Sequence, residues 1–136
     1  MREAVLDASV VLKWFRAAGE RHVRPARSLR DRFERGELAV VAPSLLPLEL
    51  LNVAGRRWGW TAPALDGLAI AFEQLGVELT DPDLRTVARW TSAGLSAYDA
   101  AYVAVAEDRE RPLVTDDERI LAVAPRVATA LSGLAS

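Results

Sequence analysis

The chain contains no cysteine. That absence removes disulfides, thiol nucleophiles and thiolate metal sites together, and it suits a reducing cytoplasm, which is the expected location. Histidine is nearly absent as well, with His22 alone in an Arg-rich polar stretch that reads as surface rather than as a catalytic base. Any bound metal must therefore rest on oxygen ligands or on that single His. Lysine is reduced to Lys13, all the other basic residues being Arg. No apolar run approaches the ~18 residues that cross a bilayer, and no basic segment followed by an apolar one opens the chain, so neither membrane insertion nor export is expected. Strong net charge is lacking too: 17 basic against 19 acidic residues leave −2, so the overall field gives no reason to expect nucleic acid or an anionic membrane. Repeats and low-complexity tracts are also missing, with seven Pro and eight Gly scattered as punctuation. What remains is 136 residues, 51% of them hydrophobic, enough for one core and one domain spanning residues 1–136.

Short apolar runs alternate with helical patterns along this chain. Glu3 to Leu6 reads as a strand that runs into Asp7, and Ala8 to Phe15 as a helix ended near Gly19. Val23, Ala26, Leu29 and Phe33 form a helical stripe within the polar stretch from Glu20 to Glu37, with Gly36 where a C-terminal cap belongs. Leu38 to Ala42 is a continuous apolar run closed by Pro43, the pattern of a strand covered on both faces. Ser44 is placed to cap a helix to about Arg57, Pro63 opens another to about Gln74, and Val77 to Thr80 is a third strand. Asp81-Pro82 begins a helix ended by Gly94, and Ser96 opens one to about Glu107. Pro112 to Thr115 is a fourth strand, Asp116 to Ala124 a last helix, and Val127 to Leu131 a fifth strand candidate. This alternation implies an α/β three-layer sandwich: a central, mostly parallel sheet of four to five strands flanked by helices.

In open parallel sheets, ligands bind beyond the carboxyl ends of the strands, where strand order reverses. Asp7 follows strand one directly, and Asp116 and Asp117 follow strand four. Each also stands near a helix start, where Asp is a favoured cap worth ~1 kcal/mol, and Asp99 sits three residues after Ser96 as in a capping box. Capping does not explain the surroundings of Asp99, the one charged residue between Ala97 and Ala106. Glu49 is likewise alone in the apolar run from Leu45 to Ala54, sharing a helix face with Asn52 and Arg56. Buried carboxylates that gather at one site repel one another and require a compensating cation, for which Mg²⁺ or Mn²⁺ is suited. Ser9 and Thr115 flank these acids and are secondary candidates, as are Asn52 and Asp116. Arg21, Arg24, Arg27 and Arg30 form a partial basic stripe, but interspersed Asp31, Glu34 and Glu37 make helix-surface pairing a sufficient explanation.

Taken together, these segments resemble the PIN-domain ribonucleases, in particular the VapC toxins of type II toxin–antitoxin pairs. Val5-Leu6-Asp7-Ala8-Ser9 is similar to the family's opening strand and first acid, and Pro47 to Val53 to its Glu-bearing helix. Ser96 to Tyr102 is similar to the helix of the third acid, and Leu113-Val114-Thr115-Asp116-Asp117 to the last strand and terminal acid. The resemblance covers essentially the whole chain. It implies that Asp7, Glu49 and Asp99 are core metal-holding and catalytic acids and that Asp117 is the more variable fourth. The middle position of Thr115-Asp116-Asp117 is more often uncharged in the family, which leaves open which Asp faces the metal. The implied activity is metal-dependent hydrolysis of RNA phosphodiesters. The implied partners are an RNA substrate, a second copy in a homodimer, and a small antitoxin over the active-site groove, contacted by Leu and Trp positions of the first two helices.

Two other readings stand beside this one. An aspartate-nucleophile phosphotransferase also places an Asp after strand one, but Ser9 occupies the place of its usual second acid, and no Lys stands where it would steady a phosphoryl group. A catalytically silent interaction module would keep the fold and use the groove for a protein, a reading to which the intact set of acids is opposed.

Overall fold

The computed structural model describes residues 1–134; the last two positions of the expected domain, 135 and 136, lie outside the described residues. The chain runs β1 (Glu3–Leu6), α1 (Ala8–Phe15), α2 (Val23–Glu34), β2 (Ala39–Pro43), α3 (Leu46–Arg56), α4 (Ala62–Leu75), β3 (Glu78–Thr80), α5 (Leu84–Ser92), α6 (Ala97–Arg109), β4 (Leu113–Thr115), α7 (Glu118–Val123) and β5 (Ala128–Ala130), followed by a 3₁₀ turn at Leu131–Gly133. The sheet order is β3-β2-β1-β4-β5, and every neighbouring pair is parallel. The sheet is thus wholly parallel, a five-stranded α/β sandwich.

The apolar runs become the central strands because the hydrophobic effect favours burying them on both faces. Ala4, Val5 and Leu6 of β1 are fully buried, and Val40 to Ala42 of β2 and Leu113 to Thr115 of β4 nearly or wholly so. Helix α6 lies against β1, β2 and β4, and every residue from Ala100 to Ala106 is buried. Its alanines leave room for close approach of helix to sheet, and Tyr102 is the bulky side chain among them. Helix α1 packs on both α2 and α3, α3 packs on α4, and α5 packs on α6. This grouping matches right-handed crossovers that reverse direction between β1 and β4.

Helix starts differ from the sequence expectation in several places. Ser44 does not cap α3: its hydroxyl donates to Asp81 Oδ1 at 2.9 Å, Leu45 occupies the cap position, and Pro47 sits in the first turn. Asp81 is thereby engaged, and α5 begins later, capped by Asp83, whose carboxylate accepts from the Arg85 and Thr86 amides at 2.8 and 3.2 Å. The last helix is capped by Asp117, not Asp116, and the second begins at Val23, where its apolar stripe starts. Gly36, at φ +75°, ends the second helix region in the left-handed conformation that glycine adopts without strain. Among the described residues, no helix is long and apolar enough to cross a membrane.

Candidate functional site

Strand β1 ends at the point where strand order reverses, and its next residue is Asp7. Asp7 holds the N-cap position of α1 but makes no capping bond with its side chain. Its Oδ2 instead accepts the Ser9 hydroxyl at 2.7 Å and the Thr115 hydroxyl at 2.8 Å, drawing together the starts of α1 and the end of β4. Asp7 is only 5% exposed. Burial pushes its pKa up, the two hydroxyls oppose that rise, and the charges of Asp99 and Asp117 add to it.

Glu49 enters from the first turn of α3, where its Oε1 accepts the Tyr102 hydroxyl of α6 at 2.7 Å. Burial raises its pKa, the Tyr102 hydroxyl lowers it, and Asp7 and Asp99 raise it. Asp99 occupies the first turn of α6, where its backbone amide donates to the capping Ser96 hydroxyl at 3.1 Å. Its pKa is raised by burial and then by Asp117, against the hydrogen bond with Ser96 and the charge of Arg119. Asp117 caps α7 through one oxygen, Oδ1, which accepts from the Arg119 and Ile120 amides at 2.8 and 3.1 Å, while its own amide donates to Thr115 Oγ1 at 3.0 Å. The four acids expected from the sequence are therefore close enough to act on one another electrostatically, although they come from four separate segments.

Asp116 has different surroundings. Its Oδ1 lies 2.8 Å from His22 Nδ1, its Oδ2 lies 3.2 Å from Lys13 Nζ, and its amide donates to Ser9 Oγ at 3.0 Å. Both of its oxygens are engaged by cationic or imidazole groups, whereas Asp117 keeps one oxygen outside its capping bonds. Asn52 is exposed one turn beyond Glu49 and shares a cavity of about 420 Å³ with Glu49 and Asp99.

Lys13 and His22 were not legible as neighbours of this site. Lys13 is buried beside it, with its amine also 3.2 Å from Glu20 Oε1. His22 lies not within the Arg-rich helix but ahead of it, in the left-handed region at φ +56°, which turns its ring toward Asp116. Only the contrast of a lone Lys within the apolar α1 run hinted at such an arrangement. Of the Leu and Trp positions in the first two helices, Trp14 and Leu29 are in the core, with Trp14 Nε1 donating to the Ala26 carbonyl at 2.8 Å. The larger apolar side chains left exposed include Leu48, Ile70, Leu79, Leu84 and Tyr98.

Among the described residues, none of Asp7, Glu49, Asp99 and Asp117 forms a salt bridge. A collection of carboxylates with no bonded counter-charge, three of which, Asp7, Glu49 and Asp99, have raised pKa values, suits a hard divalent cation held by oxygen. Among the same residues, no three acidic or imidazole groups stand close enough to hold an ion by themselves. The donor set fits an open site in which water completes the coordination shell, as Mg²⁺ and Mn²⁺ accept, and not a closed protein cage.

The PIN domain family model matches residues 4–125. Among solved structures, PAE2754 from Pyrobaculum aerophilum is 27% identical, with a TM-score of 0.68 over 96% of this chain and 92% of that one. FitAcB from Neisseria gonorrhoeae is 18% identical, with a TM-score of 0.71 over 96% and 99%. FitAB bound to an IR36 DNA fragment gives 17% identity and a TM-score of 0.57, covering 98% of each chain. The last two likenesses concern the fold alone. No curated protein matches the sequence.

Proposed function

Because the chain belongs to the PIN-domain family, we propose that it is a divalent-metal-dependent endoribonuclease that acts as the toxin of a toxin–antitoxin pair. The observation that carries this reading is the uncompensated group of acids, Asp7, Glu49, Asp99 and Asp117, at the carboxyl edge of the sheet where β1 and β4 adjoin. Asp7, Glu49, Asp99 and Asp117 would hold the ion together with water, Asp7 from the most buried position. When bound, Mg²⁺ or Mn²⁺ supplies Lewis-acid activation of a phosphodiester and of the water that attacks it.

The protein's own part is to hold and orient. Ser9 and Thr115 fix Asp7 by donating to a single oxygen, so the other oxygen has a defined direction. Tyr102 does the same for Glu49. Thr115 also accepts the Asp117 amide, linking the first and fourth acids through one hydroxyl. Asp116 binds Lys13 and His22 and closes the side of the site without serving as a ligand. Burial of Asp7 excludes water and strengthens electrostatic interactions at the reacting phosphate.

The whole chain constitutes one PIN domain in this reading, and it works as a homodimer in the cytoplasm. Its antitoxin partner is a small protein with an apolar segment. An apolar groove of about 430 Å³ beside α3 and α4, lined by Leu50, Leu51, Leu68, Phe72 and Val77 and adjoining the Glu49 helix, supports a partner of this chemistry in addition to the expected contact over the active-site groove. Covalent phosphoryl transfer is disfavoured because Lys13 is buried against Glu20 and Asp116 and is not free to steady a phosphoryl group. One observation favours the silent-module reading, namely that no three ligands are preassembled among the described residues.

The deciding experiment incubates end-labelled single-stranded and structured RNA with the purified protein in Mg²⁺, Mn²⁺ or chelator, beside Asp7→Asn prepared identically. Cutting that needs metal and disappears in the variant is expected. Folded protein free of antitoxin that cuts no RNA with either metal would favour the silent module.

A further inference from the structure

The two helices that carry Glu49 and Asp99 have an unusual feature in common: the residue immediately before each acid is large, apolar and exposed. Leu48 on α3 is 68% exposed and Tyr98 on α6 is 69% exposed. The rest of α6 behaves oppositely, Tyr102 being fully buried and Ala100 to Ala106 all within the core. Both exposed side chains line the cavity that also contains Leu45, Asn52, Glu49 and Asp99. Covering Leu48 and Tyr98 would be favourable, so the chain keeps apolar surface open directly beside its acids.

The chemistry of the lining selects the occupant. In the nuclease reading Glu49 and Asp99 are engaged by the ion and face the phosphate, which leaves Leu48, Tyr98 and Asn52 as the wall for the rest of the occupant. An aliphatic side chain placed there would strip water from the Asn52 amide and give no hydrogen bond in return. A nucleobase suits this wall: it is neutral, its flat face stacks on an aromatic ring, and its edge offers donors and acceptors to an amide. We propose that this cavity binds the unpaired base next to the scissile phosphate, with the base stacked on Tyr98 against Leu48 and its edge read by Asn52. Tyr98 is then a positioning residue that sets which linkage meets the acids.

The inference rests on the nuclease reading, and the test separates the two. Affinity for short single-stranded RNA is measured by fluorescence anisotropy with Ca²⁺ in place of the activating ion, using intact RNA and RNA with one abasic residue at each position in turn. KM and kcat are measured in parallel with Mg²⁺. In the wild type, one abasic position should weaken binding by roughly five- to hundredfold, the range of one base–aromatic stack. Tyr98→Ala should lose a similar factor on intact RNA and no more on the abasic RNA, with the change falling on KM. Tyr98→Phe should bind like the wild type. Full affinity of Tyr98→Ala, additive losses on the abasic RNA, or a changed oligomeric state in sedimentation would each overturn the base site, the last by assigning Tyr98 to a protein interface. Absence of metal-dependent cleavage by the wild type overturns the nuclease reading instead.

Discussion

Replacing Asp7 by Asn should make the metal-free protein more stable while abolishing its activity. Asp7 is 5% exposed, and its carboxylate is disfavoured by burial and by the nearby charges of Asp99 and Asp117. Removing a buried charge relieves an effective penalty of several kcal/mol. Against this, the Asn carbonyl still accepts from Ser9 and Thr115, but each bond changes from charge-assisted to neutral at a cost of about 1 kcal/mol, roughly 2 kcal/mol for the pair. The difference favours the variant by about 1–3 kcal/mol, a rise in Tm of roughly 3–12 °C for a chain of this size. The pH dependence has a defined sign. Because the folded pKa of Asp7 lies above its unfolded value, the native protein takes up the proton first as pH falls, and the wild type gains stability through that window. The advantage of Asp7→Asn is therefore full above the raised pKa and shrinks as pH falls through it. Taking the difference between the two proteins cancels the titrating groups that are not coupled to Asp7, and Glu49, whose pKa Asp7 raises, adds a change of the same sign. The assay is thermal unfolding in chelator from neutral to mildly acidic pH, repeated with Mg²⁺, which should raise the Tm of the wild type and leave the variant nearly unchanged. A variant less stable than the wild type in chelator, or an advantage independent of pH, would refute the account of Asp7 as a buried charge awaiting an ion.

Two further substitutions test the groups around the acids. Tyr102→Phe removes the hydroxyl that donates to Glu49 from a fully buried ring, so Glu49 should titrate at still higher pH and the acidic limb of the pH–activity profile should move upward, with a stability loss of about 1–2 kcal/mol in urea unfolding. Lys13→Met keeps the buried stem but takes one cation from Asp116; because the Asp116 and Glu20 side chains are 14% and 36% exposed, the loss should be about 1–3 kcal/mol, below the ~3–5 kcal/mol of a fully buried pair. Adding Asp116→Asn to Lys13→Met should restore part of it, and strictly additive losses in that double-mutant cycle would show that the pair is not coupled.

Much of the fold could be read because the apolar runs of β1, β2 and β4 are buried on both faces, and burial of that kind leaves a continuous hydrophobic signature. The parallel order also followed from alternation, since strands joined through helices must cross over. Helix starts were less legible because several side chains compete for one cap. Ser44 has the right chemistry for α3, yet its hydroxyl is taken by Asp81, and Asp83 then caps the helix that Asp81-Pro82 was expected to open. A cap depends on which residue the preceding chain turns inward, and composition does not encode that choice. The same limit hid Lys13 and His22, whose partner Asp116 is about a hundred residues away.

Asp116 and Asp117 show why the site needed coordinates even when its residue types were evident. As neighbours of the same type at the end of β4, they are indistinguishable by position, and either could cap a helix or face an ion. Alternation at the strand end sends them in different directions. Asp116 meets Lys13 and His22, so its charge is neutralised by the protein itself. Asp117 turns toward Asp7 and Asp99, where its charge raises the pKa of both. The protein thus satisfies one carboxylate internally and leaves the adjoining one uncompensated. Under the proposed function, that difference at the reversal of strand order is why Asp117, and not Asp116, is the acid offered to the ion.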